Sequence, residues 1–169
     1  TVVYSGNIQA GSITATGLIT ASKVTQTTPV LFKISLQSAT DLNDSTIYMK
    51  RNLFGTGASE KFNNGDFTYT DNTITVPSAG YYRVTMNFKW NGTDNDSIGV
   101  QPVIGTTDSG EIFSAFEGNR SGQADPCISA SSIYQFTVNL NLSFKFARLG
   151  SSGDVTLEGG ASFVLVEKL

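Results

Sequence analysis

The sequence predicts an all-β sandwich, and three observations carry that prediction. Several stretches alternate strictly between apolar and polar residues, turn chemistry separates them at intervals of roughly 8–15 residues, and no window shows the apolar spacing of a helix. In YYRVTMNFKW, Tyr82, Val84, Met86, Phe88 and Trp90 fall on one side and Arg83, Thr85, Asn87 and Lys89 on the other. That period of two marks a half-buried strand. Charged residues make up only 15% of the chain, against about 25% in a typical domain. Ser and Thr are abundant, and Ala, Leu, Glu and Lys never cluster, a balance that suits hydroxyl-rich sheet faces rather than helical bundles.

Residues 1–28 stand apart as a fibrous shaft of β-repeat type. GNIQA, GSITAT, GLITAS and KVTQTT place Ile8, Ile13, Ile19 and Val24 at matched positions, with Gly6, Gly11 and Gly17 as punctuation. Each unit is too small to bury its own apolar residue, so the repeat makes sense if copies stack or several chains wind about one axis. The other reading is a flexible Ser/Thr/Gly linker.

Pro29 opens the head, residues 29–169. Val30, Phe32, Ile34 and Leu36 alternate with Leu31, Lys33, Ser35 and Gln37 as a half-buried strand, and TIYMKRNLF (46–54) is read as another. FTYT, Asp71-Asn72 and TITV form a hairpin, because Asp and Asn tolerate the positive φ of a two-residue turn. SIGVQPVIGT and GEIFSAFEG supply two more strands. YQFTVNLNLSFKFARL reads as one long strand with Phe136, Val138, Leu140, Leu142, Phe144 and Phe146 on its buried face; slipping its register by one residue would expose all of them. VTLEG and ASFVLVEKL close the head. Apolar residues on both faces of FVLV place the last strand inside a sheet rather than at its edge.

Several function classes are excluded by composition. A net charge of −3 and a pI near 4.8 provide no basic face for nucleic acid. The chain has no histidine, which removes the usual general base and the commonest zinc ligand. There is no nucleophile elbow or phosphate-cradling loop. A carboxylate pair assembled across subunits is the one enzymatic arrangement the acids leave open, and no catalytic residue is assigned. Cys127, the single cysteine, cannot form an intrachain disulfide and is read as a buried, inert thiol. No apolar run approaches the ~20 residues of a membrane span and no signal peptide is visible. The chain begins at Thr1, as expected of a fragment or processed product.

The segment TITVPSAGYYRVTMNFKW resembles the signature of the C1q and tumour-necrosis-factor superfamily: a strand ending in Val76-Pro77, a small turn to Gly80, the aromatics Tyr81 and Tyr82, then a long alternating strand. FKFARLGSSGDVTLEGGASFVLVEKL resembles it as well, through Gly153, Asp154, Val155, Leu157, Phe163 and Leu165, and FNNGDFTY does so more loosely through Phe62, Asn63 and Phe67. The resemblance covers residues 30–169 and departs from animal C1q domains in GSSGD and in 91–130. It implies a ten-strand jelly-roll sandwich, a compact homotrimer, and N-termini that leave together on one side.

A trimeric head on a Gly- and Ile-punctuated shaft resembles viral fibres and spikes, including phage tail proteins; the collagen period of other stalked relatives is absent. The expected function is therefore attachment of a virion to a host cell-surface receptor, a glycan among the candidates. The loops 91–97 and 117–126 would be presented to the host from the virion surface, with no membrane insertion. The alternatives are a trimerising structural protein of a virion or spore, and a secreted C1q-like lectin. Asp94, Asn95 and Asp96 are hard oxygen ligands that the resemblance suggests for calcium; the other reading is a solvated turn. Asp41, Asn43 and Asp44 form a lesser cluster, and no other cofactor is expected. Trp90 is read as core or subunit interface rather than a sugar-stacking platform. Asn43, Asn91, Asn95, Asn119 and Asn141 each begin a glycosylation sequon.

Overall fold

The computed structural model describes residues 30–37, 40–42, 47–55, 57–92, 97–116, 126–149 and 155–169. The shaft, residues 1–28, lies outside them. Among the described residues there are fourteen strands and no helix. In chain order these are β1 (Leu31–Ser35), β2 (Thr40–Asp41), β3 (Met49–Lys50), β4 (Ser59–Asn63), β5 (Thr68–Thr70), β6 (Thr73–Val76), β7 (Gly80–Asn91), β8 (Ser97–Ile104), β9 (Thr107–Asp108), β10 (Phe113–Phe116), β11 (Cys127–Phe136), β12 (Leu140–Arg148), β13 (Thr156–Leu157) and β14 (Phe163–Lys168). Four of these are two-residue ladders, leaving the ten full strands of a jelly roll.

The strands form two antiparallel sheets. In the first, the order is β11-β7-β14-β1-β4, with β13 beside the far end of β7 and β2 beside β13. In the second it is β10-β8-β12-β6-β5, with β9 beside β8 and β3 beside β12. β14 lies between β7 and β1, so the closing strand is internal, as its two apolar faces require.

Between the sheets the alternation becomes packing. Tyr82, Val84, Met86, Phe88 and Trp90 are fully buried, as are Leu142, Phe144 and Phe146 opposite. Phe88 meets Phe144 and Phe146 edge-on, with ring centroids 5.4 and 5.1 Å away, the geometry that aromatic quadrupoles favour. Phe32, Phe67, Tyr82 and Phe136 extend the aromatic core in a chain of contacts of 5.3, 6.1 and 5.5 Å. Each such side chain contributes roughly 1.5–3 kcal/mol by leaving water. Trp90 is core, as its register predicted.

The expected hairpin forms, with Asp71 at φ +47°. Asn72 turns inward and is almost fully buried. Its Nδ2 donates to the Phe144 carbonyl at 2.6 Å, and its Oδ1 accepts from the Phe144 N–H at 3.3 Å. The side chain thereby carries on the β6–β12 ladder, which ends at the Thr73–Ser143 pair.

Three expectations are corrected. YQFTVNLNLSFKFARL is two strands: the chain turns at 137–139, with Asn139 at φ +58° and the Leu140 N–H donating to the Thr137 carbonyl at 3.3 Å, and passes from one sheet to the other. Even-numbered residues point inward both before and after this turn, so the sequence alternates straight through it. Val138 is consequently 59% exposed and Leu140 only half-buried. The strand expected over 46–54 reduces to β3, because Leu53 and Phe54 are consecutive and both buried, and both donate to the Asp71 carbonyl. Cys127 is exposed: it starts β11 at an odd position, and odd positions of that strand face outward.

Asn72→Ala removes both side-chain bonds and leaves the Phe144 amide buried without partners. It should lower unfolding stability in urea by about 2–3 kcal/mol without changing the slope of the transition.

Candidate functional site

No pocket opens among the described residues, and what they present is surface. Three parts of the surface matter: the outer face of each sheet and one end of the sandwich.

The outer face of the first sheet is ordered in rows by its register. One row runs Phe62, Lys33, Leu165, Thr85, Ser131 from β4 across to β11. A second runs Leu31, Glu167, Arg83, Ile133, and a third Phe163, Asn87, Ser129. Phe62, Tyr81, Ile133 and Leu169 are exposed, and Leu31, Phe163 and Leu165 half-buried, so large apolar groups recur where solvated residues are usual for an outward strand face. The Lys33 ammonium lies over the Phe163 ring, 4.4 Å from its centroid, and Arg83 pairs with Glu167 at 3.0 Å. Asn87 Oδ1 is buried and unbonded in the middle of the face.

The ends of the sandwich differ. The Val30 carbonyl accepts from the Lys168 N–H and the Tyr81 carbonyl from the Leu169 N–H, both at 2.9 Å, so the chain enters the head and finishes at the same end. The turns at 77–79, 105–106 and 137–139 are there too. At the opposite end, Asn91 and Ser97 flank residues 93–96, Phe116 and Pro126 flank 117–125, and Leu149 and Val155 flank 150–154. The loops 91–97 and 117–126 are therefore anchored at the end remote from Val30.

Asp94, Asn95 and Asp96, like Asn43 and Asp44, lie outside the described residues; Asp41 is on β2. Among the described residues no three carboxylate or thiol groups cluster as a metal site. Of the sequons, Asn91 and Asn141 are described, and both are exposed; Asn141 Oδ1 accepts from Thr75 Oγ1 at 3.0 Å. Sequence reasoning missed Ile133 and Tyr81 as surface groups. The available signal was parity: both are large apolar residues at odd positions of strands whose even positions are core.

The seam between β11 and the segment before β10 is closed by Glu111, whose carboxylate accepts from Ser132 Oγ at 3.1 Å and from the Tyr134 hydroxyl. Burial, then the bond to Glu111 and its charge, raise the Tyr134 pKa well above its ordinary value. Burial alone raises that of Tyr48.

The architecture is that of a jelly-roll sandwich, and known structures share it. Murine APRIL superimposes with a TM-score of 0.56 at 12% identity, covering 84% of this chain and 100% of that one. Eiger TNF from S. frugiperda gives 0.55 at 9% identity, covering 83% of this chain and 92% of that one. At such identities the likeness shows the fold alone. No family model and no curated protein matches the sequence.

Because folding raises the Tyr134 pKa, the native state keeps this proton after the unfolded chain begins to lose it at its ordinary value of 10.0. The stability linked to this group is complete below that pH and is lost as pH rises through and beyond it. Thermal melts of the protein should therefore fall above pH ~10, and Tyr134→Phe should fall less steeply there.

Proposed function

We propose that the chain is the head of a homotrimeric fibre or spike that attaches a virion to a host cell-surface receptor. The observation that carries this reading is the pairing of an apolar outer sheet face with a chain whose entrance and loops are at opposite ends. Three copies meeting through the β11-β7-β14-β1-β4 face would cover Phe62, Tyr81, Ile133 and Leu169. That face spans roughly 20 Å across five strands and about 20–40 Å along them. Its area, on the order of 600 Å², approaches the ~800 Å² per partner of a standard interface.

The same arrangement would gather the three shafts below Val30 and turn 91–97 and 117–126 outward, away from the shaft. Weak single-site contacts then become avid through three-fold display. The fold seen in APRIL and Eiger TNF supports a head of this kind. The virion setting follows from the shaft-and-head sequence pattern, and the function is binding, with no reaction assigned to any residue.

Light scattering at micromolar concentration should give a mass near three times 18.0 kDa. Leu165→Glu, at the centre of the face, should give a folded monomer whose attachment to host cells drops by at least an order of magnitude. A wild-type monomer would overturn the trimer, and a trimer that binds no cell would leave the structural role in its place.

A further inference from the structure

The outer face of the second sheet carries a feature that its alternation does not account for. Gly99, in the middle of β8, is buried, and its cross-strand partner Ala147 on β12 is wholly inaccessible, although both point away from the core. Tyr48 covers them. The Lys50–Lys145 and Met49–Phe146 pairs bring Tyr48 level with Ala147 one step on, and its ring reaches across Ala147 so that a Cβ added at Gly99 would stand 2.9 Å from Cζ and closer still to the hydroxyl. A side chain rooted one strand beyond Ala147 reaches that point only by lying along the sheet. Leu149 Cδ1 bounds the same spot, 3.0 Å from that added Cβ. The Tyr48 ring is thus seated in a bed of two small residues, half-exposed, with Leu149 along one side.

The polar surroundings are cationic. Lys50 and Lys145 are directly opposite on adjacent strands, a like-charge pairing that costs stability unless an anion answers it. Asp108 answers Lys145 at 2.7 Å, while Lys50 has no partner among the described residues. Gln101, the other neighbour of Lys145 in that row, adds an amide able to donate and accept at once.

An aromatic side chain laid along the sheet suits the C–H face of a pyranose, the amide suits its hydroxyls, and the Lys50 ammonium next to it suits a carboxylate. We propose that Tyr48, seated on Gly99 and Ala147 and flanked by Gln101, Lys50 and Lys145, is a binding platform for a carboxylate-bearing saccharide. This gives the attachment function proposed above a ligand class. The platform is on the sheet face that the trimer leaves outward, near the shaft-distal end, and a free sugar tests it without reference to assembly or to cells.

The test is saturation-transfer NMR and titration of the full chain with sialyllactose and with neutral lactose. Saturable sialyllactose binding, at least about tenfold tighter than lactose, is expected. Tyr48→Ala should abolish both, and Lys50→Gln should bring sialyllactose down to the lactose level while leaving lactose unchanged. Gly99→Ala, which forces the ring off its bed, should weaken both sugars with the trimer mass retained. Absence of transfer from either sugar, or equal binding by Tyr48→Ala in a protein of unchanged melting temperature, would overturn the proposal.

Discussion

Phe88 stands edge-on between Phe144 and Phe146, and this clasp between β7 and β12 is the constraint on which the rest depends. It joins an internal strand of one sheet to the central strand of the other, and it sets which residues of every neighbouring strand point inward. Shifting β7 by one residue would turn Arg83, Thr85, Asn87 and Lys89 into the core, and shifting β12 would turn in Asn141, Ser143 and Lys145. Because the register is fixed there, the outward rows on both sheets are fixed as well. The apolar outer face, Phe62 to Ile133, and the ring of Tyr48 over Gly99 are consequences of the same choice.

The two outer faces are unlike in a way that suits different partners. The first sheet offers dispersed apolar groups over a broad, pocketless area, with its strongest charges answered internally by the Arg83–Glu167 pair. Such a surface favours another protein surface of matching size, and a second copy is the simplest one. The second sheet offers one seated aromatic and an excess of cationic charge, which favours a small polar ligand. Val30 and Leu169 lie at one pole of the sandwich, away from the ends of β7 and β8 nearest Tyr48.

The central strands were legible in the sequence because β1, β7 and β14 each obey one rule over their whole length. The Asp71-Asn72 hairpin was legible because its turn residues carry their own conformational preference, and Trp90 was legible by parity. The turn at 137–139 was hidden, since Thr137, Val138 and Asn139 continue the alternation in phase and only Asn139, at φ +58°, hints at a bend. β11 was largely missed because Ser129, Ser131 and Ser132 lack the hydrophobic contrast that makes a strand visible. Cys127 was misplaced for that reason. The Tyr48 platform could not be read at all: Tyr48 and Gly99 are 51 positions apart in the chain, and only the register of β3 and β8 against β12 brings them together.

The central claim, that one sheet face is covered by copies of the chain while the other is left free, is open to direct measurement by hydroxyl-radical footprinting of the intact protein at micromolar concentration. Phe62, Tyr81 and Ile133 should be protected well beyond their exposure in a single chain and should become reactive on dilution, while Tyr48 reacts equally at every concentration. Protection of Tyr48 with Phe62, Tyr81 and Ile133 left reactive would contradict it.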